Sequence, residues 1–482
     1  MTLALMIAVP LATALLLVMV GQRMGRTASA IAGAGSLVIA LGAAAAIGQA
    51  VAAGKTSLVA ELGPWLPIRG AAVAFTVDAR TLPLLLATLA IATAVGLYAA
   101  VTFRRDPRAM RFFIALDLLV ASLVVVVAAR DLLLLLAGSQ GVGISVYLLL
   151  AHESHRPELA LSAARAFVVA RAGDAALLIG VLAAFALFQT VDLEQIGGRL
   201  AASSPARPAE SLLAASVLIV LSALVRAGQV PFHSWLPDRS QSHPAAMAAT
   251  HGLAAAAGAF LFIRLASVLD PSAMLAASGV GVASAIVAMA AAIGGRRISH
   301  ERWCTVAQLG IVIAASGLGS PSLVPLVIGM SAVRSAAPLV DDRWPRLARV
   351  ISAVAVVAGA VVVVGEAPPT LFLVGIAVVA LLAVADAALA LAGDRSLALW
   401  PRIGADPAAG SFGRSVDASA GAAAMVIEQG GTQMLATIEA SLVRAALRAS
   451  DALAGLQRSS VWAHEALLLA AAVVIVVYWI VR

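Results

Sequence analysis

Apolar and polar positions follow one another along this chain on a long period. Runs of about twenty apolar residues are separated by short polar segments, from residue 3 to about residue 392 and again at the C-terminal end. A helix needs roughly 20 such residues to cross the hydrocarbon layer of a bilayer. The pattern therefore predicts spans near 3–20, 29–52, 80–103, 112–129, 131–151, 165–188, 210–230, 245–268, 273–294, 304–319, 322–340, 348–366, 369–392 and 464–481, about fourteen in all. The expected fold class is all-α, a polytopic membrane protein. The first run, Met1 to Val20, lacks a basic leader and an Ala-x-Ala cleavage pattern, so it reads as a spanning helix rather than a removed signal.

Between 393 and 463 the pattern changes. Gly, Pro, Ser and charged residues become frequent, and Leu435, Ile438, Leu442, Ala445, Ala449, Leu453 and Leu456 recur at helical spacing. An amphipathic helix lying on a surface accounts for that spacing. The chain thus divides into a transmembrane core at 1–392, a linker with a surface helix at 393–463, and a last transmembrane helix at 464–482.

Composition agrees with the pattern. The chain has 482 residues, 62% hydrophobic and 12% charged, and its mean hydropathy is +1.01. A soluble domain carries about 25% charged residues, so lipid is the expected surrounding. The net charge of +7 sits mainly in the connections, where arginine sets orientation, and nucleic acid is not an expected partner. Arg23, Arg26, Arg104, Arg105, Arg108 and Arg111 load the first and third connections, which places those on the cytoplasmic side. Lys55 is the only lysine, so 31 of the 32 basic residues are arginines. Lysine can lose its proton when buried and arginine effectively cannot.

Ionisable residues inside spans are costly and mark candidate function. The densest set lies in LVRAGQVPFHSWLPDRSQSHPAAMAATHGLAAAAGAFLFIRL, residues 224–265. Arg226 ends an apolar run, Gly228 and Pro231 break the helix, and His233, Asp238, His243 and His251 surround the break. A broken helix at membrane depth frees backbone groups and tends to line a hydrated cavity, and histidine relays protons near neutral pH. A loop with interfacial histidines is the plainer account of His233 and His243. Other sets are Arg165, Arg171 and Asp174 in one run, Gln140 among small residues, Arg334, and Asp386. Arg171 and Asp174 are three apart and share a helix face. His243 and His251 are eight apart, too far for a helical zinc pair; the one cysteine, Cys304, forms no internal disulfide. No metal, cofactor or catalytic residue is expected, since phosphate-binding and nucleophile motifs are absent.

The run RAGQVPFHSWLPDRSQSHPAAMAATHG resembles the signature of proton-conducting, antiporter-like membrane subunits. That family includes the distal pump subunit of respiratory complex I (NuoL), Mrp-type antiporter subunits (MrpA-like) and DabB, the membrane subunit of an inorganic-carbon pump. RFFIALDLLVASLVVVVAARDLLLLLAGSQGVGISVYLLL, RAFVVARAGD and CTVAQLGIVIAASGLG resemble further helices in the family's order, over residues 60 to 340 or so. Within the family, Trp235 to Arg264 and HRPELALSAARAF lie nearest the DabB pattern. The resemblance implies an ion-conducting subunit in a bacterial inner membrane. Its partner would be a zinc-containing, carbonic-anhydrase-like DabA-type subunit, which it would drive in carbon dioxide and bicarbonate uptake. Membrane lipid would be its other partner.

The departures bear on mechanism. By the resemblance, complex I subunits carry glutamate at the position of Gln140, lysine at Arg226 and Arg334, and histidine at Met330. A lysine–glutamate relay cannot run through these positions, and His251 is the remaining titratable group on the axis. Two other readings follow: a NuoL-like subunit of a respiratory or hydrogenase-type complex, or a membrane scaffold that has lost transport.

Overall fold

Helices account for almost all of the described chain. A computed structural model describes residues 2–54, 57–103, 106, 109–152, 157–202, 209–238, 242–294, 300–320 and 323–341, with short helical stretches between 350 and 384. These residues all belong to one compact unit, residues 1–427. In chain order the elements are α1 (Thr2–Met24), α2 (Arg26–Ala52), β1 (Ser57–Pro64), β2 (Ala72–Asp78), α3 (Thr81–Thr102), α4 (Ala109–Ala128), α5 (Leu132–Ala151), α6 (Pro157–Phe188), α7 (Leu193–Ala202), α8 (Ala209–Arg226), α9 (Pro244–Ala248), α10 (Ala256–Leu265), α11 (Pro271–Gly294), α12 (His300–Gly317) and α13 (Leu323–Asp341).

Eight helical segments among the described residues are long and apolar enough to cross a membrane. They coincide with eight of the expected spans. The expected spans at 210–230, 304–319 and 322–340 are the helices α8, α12 and α13. The expected spans at 348–366, 369–392 and 464–481, and the surface helix before the last of them, fall largely or wholly outside the described residues. The chain is a multi-pass membrane protein. Leu15, Leu16, Val18 and Met19 on α1, and Leu178, Ile179 and Leu182 on α6, remain exposed, as suits a lipid-facing surface.

Two elements depart from the expected pattern. The connection after α2 forms an antiparallel hairpin, with Ser57 opposite Asp78 and Ala60 opposite Phe75, and a register shift between Glu61 and Pro64. The short amphipathic helix α7 follows α6. Backbone bonds gather these pieces with the α4–α5 connection at one face: Arg130 N donates to Ala74 O at 3.0 Å, Leu132 N to Val191 O at 2.9 Å, and Leu193 N to Arg130 O at 3.0 Å. An even number of spans separates the three connections, as this shared face requires.

The segment from Pro244 to Leu265 is the innermost span, 94% buried over its apolar window against 33–72% for the others. Small residues bring its neighbours close. A Cβ at Gly281 on α11 would stand 2.5 Å from Gly310 O on α12, and a Cβ at Gly310 would stand 2.5 Å from Gly281 O. No side chain fits between the two backbones. Gly310→Val is expected to lower stability by about 1–3 kcal/mol, read from thermal unfolding in detergent.

Asp131 caps α5, its Oδ1 accepting from Leu134 N at 2.8 Å. It flanks the span at the hairpin face. Burial raises its carboxyl to about 6, with the nearby Asp192 adding to the rise, while the amides of Leu134, Leu133 and Ala72 pull the other way. The folded state therefore holds this proton more tightly than the unfolded chain does. The resulting penalty is absent below about pH 4, grows as pH rises to about 6, and is full above it. Asparagine caps equally well, so Asp131→Asn is expected to gain roughly 1–3 kcal/mol at pH 7. That gain should fade toward pH 4 in pH-resolved unfolding.

Candidate functional site

The helix break sets the site's geometry. α8 stops at Arg226, and Gly228 turns the chain with φ +61°, a conformation that glycine adopts without strain. Trp235, in a 3-10 turn at Phe232–Trp235, donates Nε1 to Val225 O at 3.0 Å. The same carbonyl, in the last turn of α8, also accepts from Gly228 N at 3.1 Å, so the indole pins the turn to the helix end. The chain re-enters helix at Pro244, where His243 caps α9 by accepting at Nδ1 from Ala245 N at 3.2 Å. His243 also lies 4.2 Å from the Phe103 ring, centroid to centroid. A π-helical turn, Ala249–Ala254, then joins α9 to α10. His251 sits in this turn. Such turns recur at functional sites because they widen the helix locally.

Two groups of buried and half-buried polar residues flank the break. The first joins α5, α6 and α8. Arg226 donates Nε to Ser139 Oγ at 2.7 Å and Nη2 to Asp174 Oδ1. Arg171 Nη2 lies 2.6 Å from the other oxygen of Asp174. Arg171 also reaches Gln140, with Nη1 3.5 Å from Oε1 and Nη2 3.3 Å from the backbone O, and stands 5.1 Å over the Phe167 ring. Gln140, Arg171, Asp174 and Arg226 thus form one cluster, and Asp174 is the partner of Arg226. Arg165 joins none of these contacts.

The second group surrounds His251. Its Nδ1 lies 2.8 Å from Thr305 Oγ1 and its Nε2 3.0 Å from Pro237 O. Thr305 Oγ1 is 2.9 Å from Glu301 O, one turn earlier on α12. Glu301 accepts from Arg334 Nη1 at 2.8 Å. All four side chains are buried. The adjacent Arg302 Nε lies 3.4 Å from Asp238 Oδ1, and His233 stacks on Trp303 at 4.5 Å.

Hydrogen counting makes His251 chemically distinctive. Pro237 O can only accept, so Nε2 carries a hydrogen. The Thr305 hydroxyl has one hydrogen and two acceptors within reach, Nδ1 and Glu301 O. When it points at Nδ1 the imidazole is neutral. When it points at Glu301 O, Nδ1 donates to Oγ1 and the ring is an imidazolium. Both protonation states are fully hydrogen-bonded with no heavy atom moved.

The expected spans gave no role to Glu301, Arg302, Thr305 or Asp117. The span drawn at 304–319 left Glu301 and Arg302 outside the helix, whereas α12 begins at His300 and buries both. Asp117 was visible as an acid within an apolar run; it accepts from Ser36 Oγ at 2.8 Å, fully buried between α4 and α2. Asp386 lies outside the described residues. Among the described residues, no group of three His, Cys, Asp or Glu side chains is arranged to hold a metal ion.

Residues 129–332 match the protein family described as NADH:quinone oxidoreductase/Mrp antiporter, TM. This core resembles an antiporter-type membrane subunit. NADH-quinone oxidoreductase subunit L of Mycobacterium tuberculosis is 31% identical over 263 residues, covering 53% of this chain and 41% of that one. NADH-ubiquinone oxidoreductase chain 5 of Arabidopsis thaliana is 27% identical over 287 residues, covering 57% and 42%. The chain thus spans about two fifths of the length of the curated relatives it matches. Two solved structures share the fold. One is a chain of the Mrp complex from Dietzia sp. DQ12-45-1b, with TM-score 0.63, 19% identity, and coverage of 99% of this chain and 63% of that one. The other belongs to the membrane-bound sulfane sulfur reductase, an archaeal respiratory membrane complex, with TM-score 0.66, 15% identity, and coverage of 80% and 70%.

Asp174 is the carboxylate that compensates two guanidiniums, one of them fully inside the protein. Asp174→Asn is expected to cost about 3–5 kcal/mol, because it leaves Arg226 buried without its counter-ion. Adding Arg226→Met should recover part of that loss, a non-additivity of 1 kcal/mol or more. Chemical unfolding of the two single variants and the double variant measures it.

Proposed function

We propose that this chain carries protons across a membrane through its polar interior, as one subunit of a multi-subunit complex of the respiratory or Mrp type. The observation that carries this reading is the seat of His251. A titratable ring lies buried on a π-helical turn in the innermost span, with partners that accept either protonation state. A proton arriving at Nδ1 turns the Thr305 hydroxyl toward Glu301 O, and its departure turns it back. The charge on the ring is felt by the Glu301–Arg334 pair beside it. The arginines take no part in proton exchange. Arg226 and Arg334 act as fixed charges beside the pathway.

Similarity to subunit L and to a chain of an Mrp complex supports this reading. The narrower carbon-uptake reading makes the chain a DabB-type subunit driving a DabA-like zinc partner. It rests on the resemblance of Trp235–Arg264 and of HRPELALSAARAF. The named relatives favour the respiratory or Mrp alternative over it. Affinity purification separates the two: redox or antiporter subunits accompany the chain in the first case, and a single large zinc protein in the second.

Proton flux into vesicles containing the full chain, followed with a trapped pH dye, tests the conduction itself. His251→Gln is expected to lower the flux tenfold or more, and Thr305→Val to lower it severalfold while Thr305→Ser restores it. Wild-type rates in His251→Gln vesicles would remove His251 from the pathway.

A further inference from the structure

Charge does not balance in the cluster behind the break. Among the described residues, the buried carboxylate of Glu301 faces Arg334, and the half-buried one of Asp238 faces Arg302. Asp174 alone faces two guanidiniums, Arg171 and Arg226. Gln140, which meets Arg171, is neutral. The cluster therefore holds one positive charge more than its carboxylate compensates, and of the two guanidiniums Arg226 is the buried one, where an unmatched charge is expensive.

A small cavity adjoins the cluster. It is lined by Gly143, Val146, Ala170, Arg226, Trp235 and others, and about 20 Å³ of it is open to the centre of a water-sized sphere. That is room for one water molecule or one small ion. Arg226 is buried, with Nε and Nη2 engaged by Ser139 and Asp174. Its Nη1 has no hydrogen-bond partner among the described residues. Both guanidiniums come to Gly143: a Cβ there would stand 2.9 Å from Arg171 Nη2 and 3.4 Å from Arg226 Nη1. The missing side chain lets both groups close on the backbone there, at the edge of the cavity that Arg226 lines.

We infer that the cavity beside Gly143 is a binding site for a small monovalent anion, chloride in size and charge, held by Arg226 Nη1, with the charge of Arg171 alongside. The anion neutralises the surplus guanidinium charge and supplies the acceptor that Nη1 lacks. The wall is otherwise apolar, which suits a weakly hydrated halide and excludes sulfate by volume. The site is independent of the proton-conduction reading, since it follows from charge and space alone.

The test uses the purified full chain in detergent at constant ionic strength. Thermal unfolding is measured as chloride replaces gluconate, and tryptophan fluorescence as bromide replaces gluconate. Trp235 lines the cavity, so bound bromide quenches it. The expected result is a Tm that rises and saturates by roughly 2 °C or more, with a saturable quenching component that Trp235→Phe removes. Gln140→Glu places a carboxylate against Arg171 and should abolish both effects. Gly143→Ala pushes the guanidinium groups aside and should weaken the apparent halide affinity at least tenfold. Equal Tm in chloride and gluconate with only linear quenching overturns the site. So does an unchanged halide response in both Gln140→Glu and Gly143→Ala.

Discussion

A guanidinium cannot shed its proton to escape a low-dielectric interior, so the structure around a buried arginine must be arranged to keep its charge tolerable. Arg226 imposes that condition here. It stands at the end of α8 where the helix breaks, and Asp174, Ser139 and Trp235 are positioned by its demands and by the demands of the carbonyls the break releases. The close approach of α5, α6 and α8 follows, because Gly143 and Gly173 let Arg171, Arg226 and Val225 into space that side chains would occupy. Arg334 imposes the same condition on α12, where Glu301 answers it.

Fixed charges change what the remaining groups can do. With lysine in these places, a proton could pass from one site to the next. With arginine, the sites become static sources of potential, and on the proposed reading the exchangeable position is His251. The π-helical turn supplies the seat for that histidine, and the Thr305 hydroxyl supplies a donor or an acceptor as the ring requires. On the proposed reading, conduction depends on one ring and one rotor more than on a chain of like groups.

Much of this was legible in the sequence. Apolar run length located eleven of the described helices, since a span in lipid has a required length and no tolerance for frequent charge. Gly228, Pro231 and Pro244 located the break, because each forbids or disfavours continued helix. The Arg171–Asp174 contact followed from helical spacing alone. What the sequence hid has physical causes too. A hydropathy boundary is drawn where charge begins, and α12 buries His300, Glu301 and Arg302 at its first turn, so the boundary fell at Cys304 and Glu301 went unnoticed. The hairpin β1–β2 was masked by its place in a connection, although Ala72–Asp78 alternates in the manner of a strand. Partnerships across helices, such as Asp117 with Ser36, are set by packing and carry no local signature.

On the proposed reading, the charge crossing this protein is the proton. The measurement that addresses it most directly is the reversal potential of current through the full wild-type chain in a planar bilayer, recorded as pH and metal cations are varied separately. Proton conduction gives a reversal potential that follows the pH gradient and ignores gradients of sodium and potassium. A reversal potential that follows sodium or potassium, or the absence of any current, would contradict it.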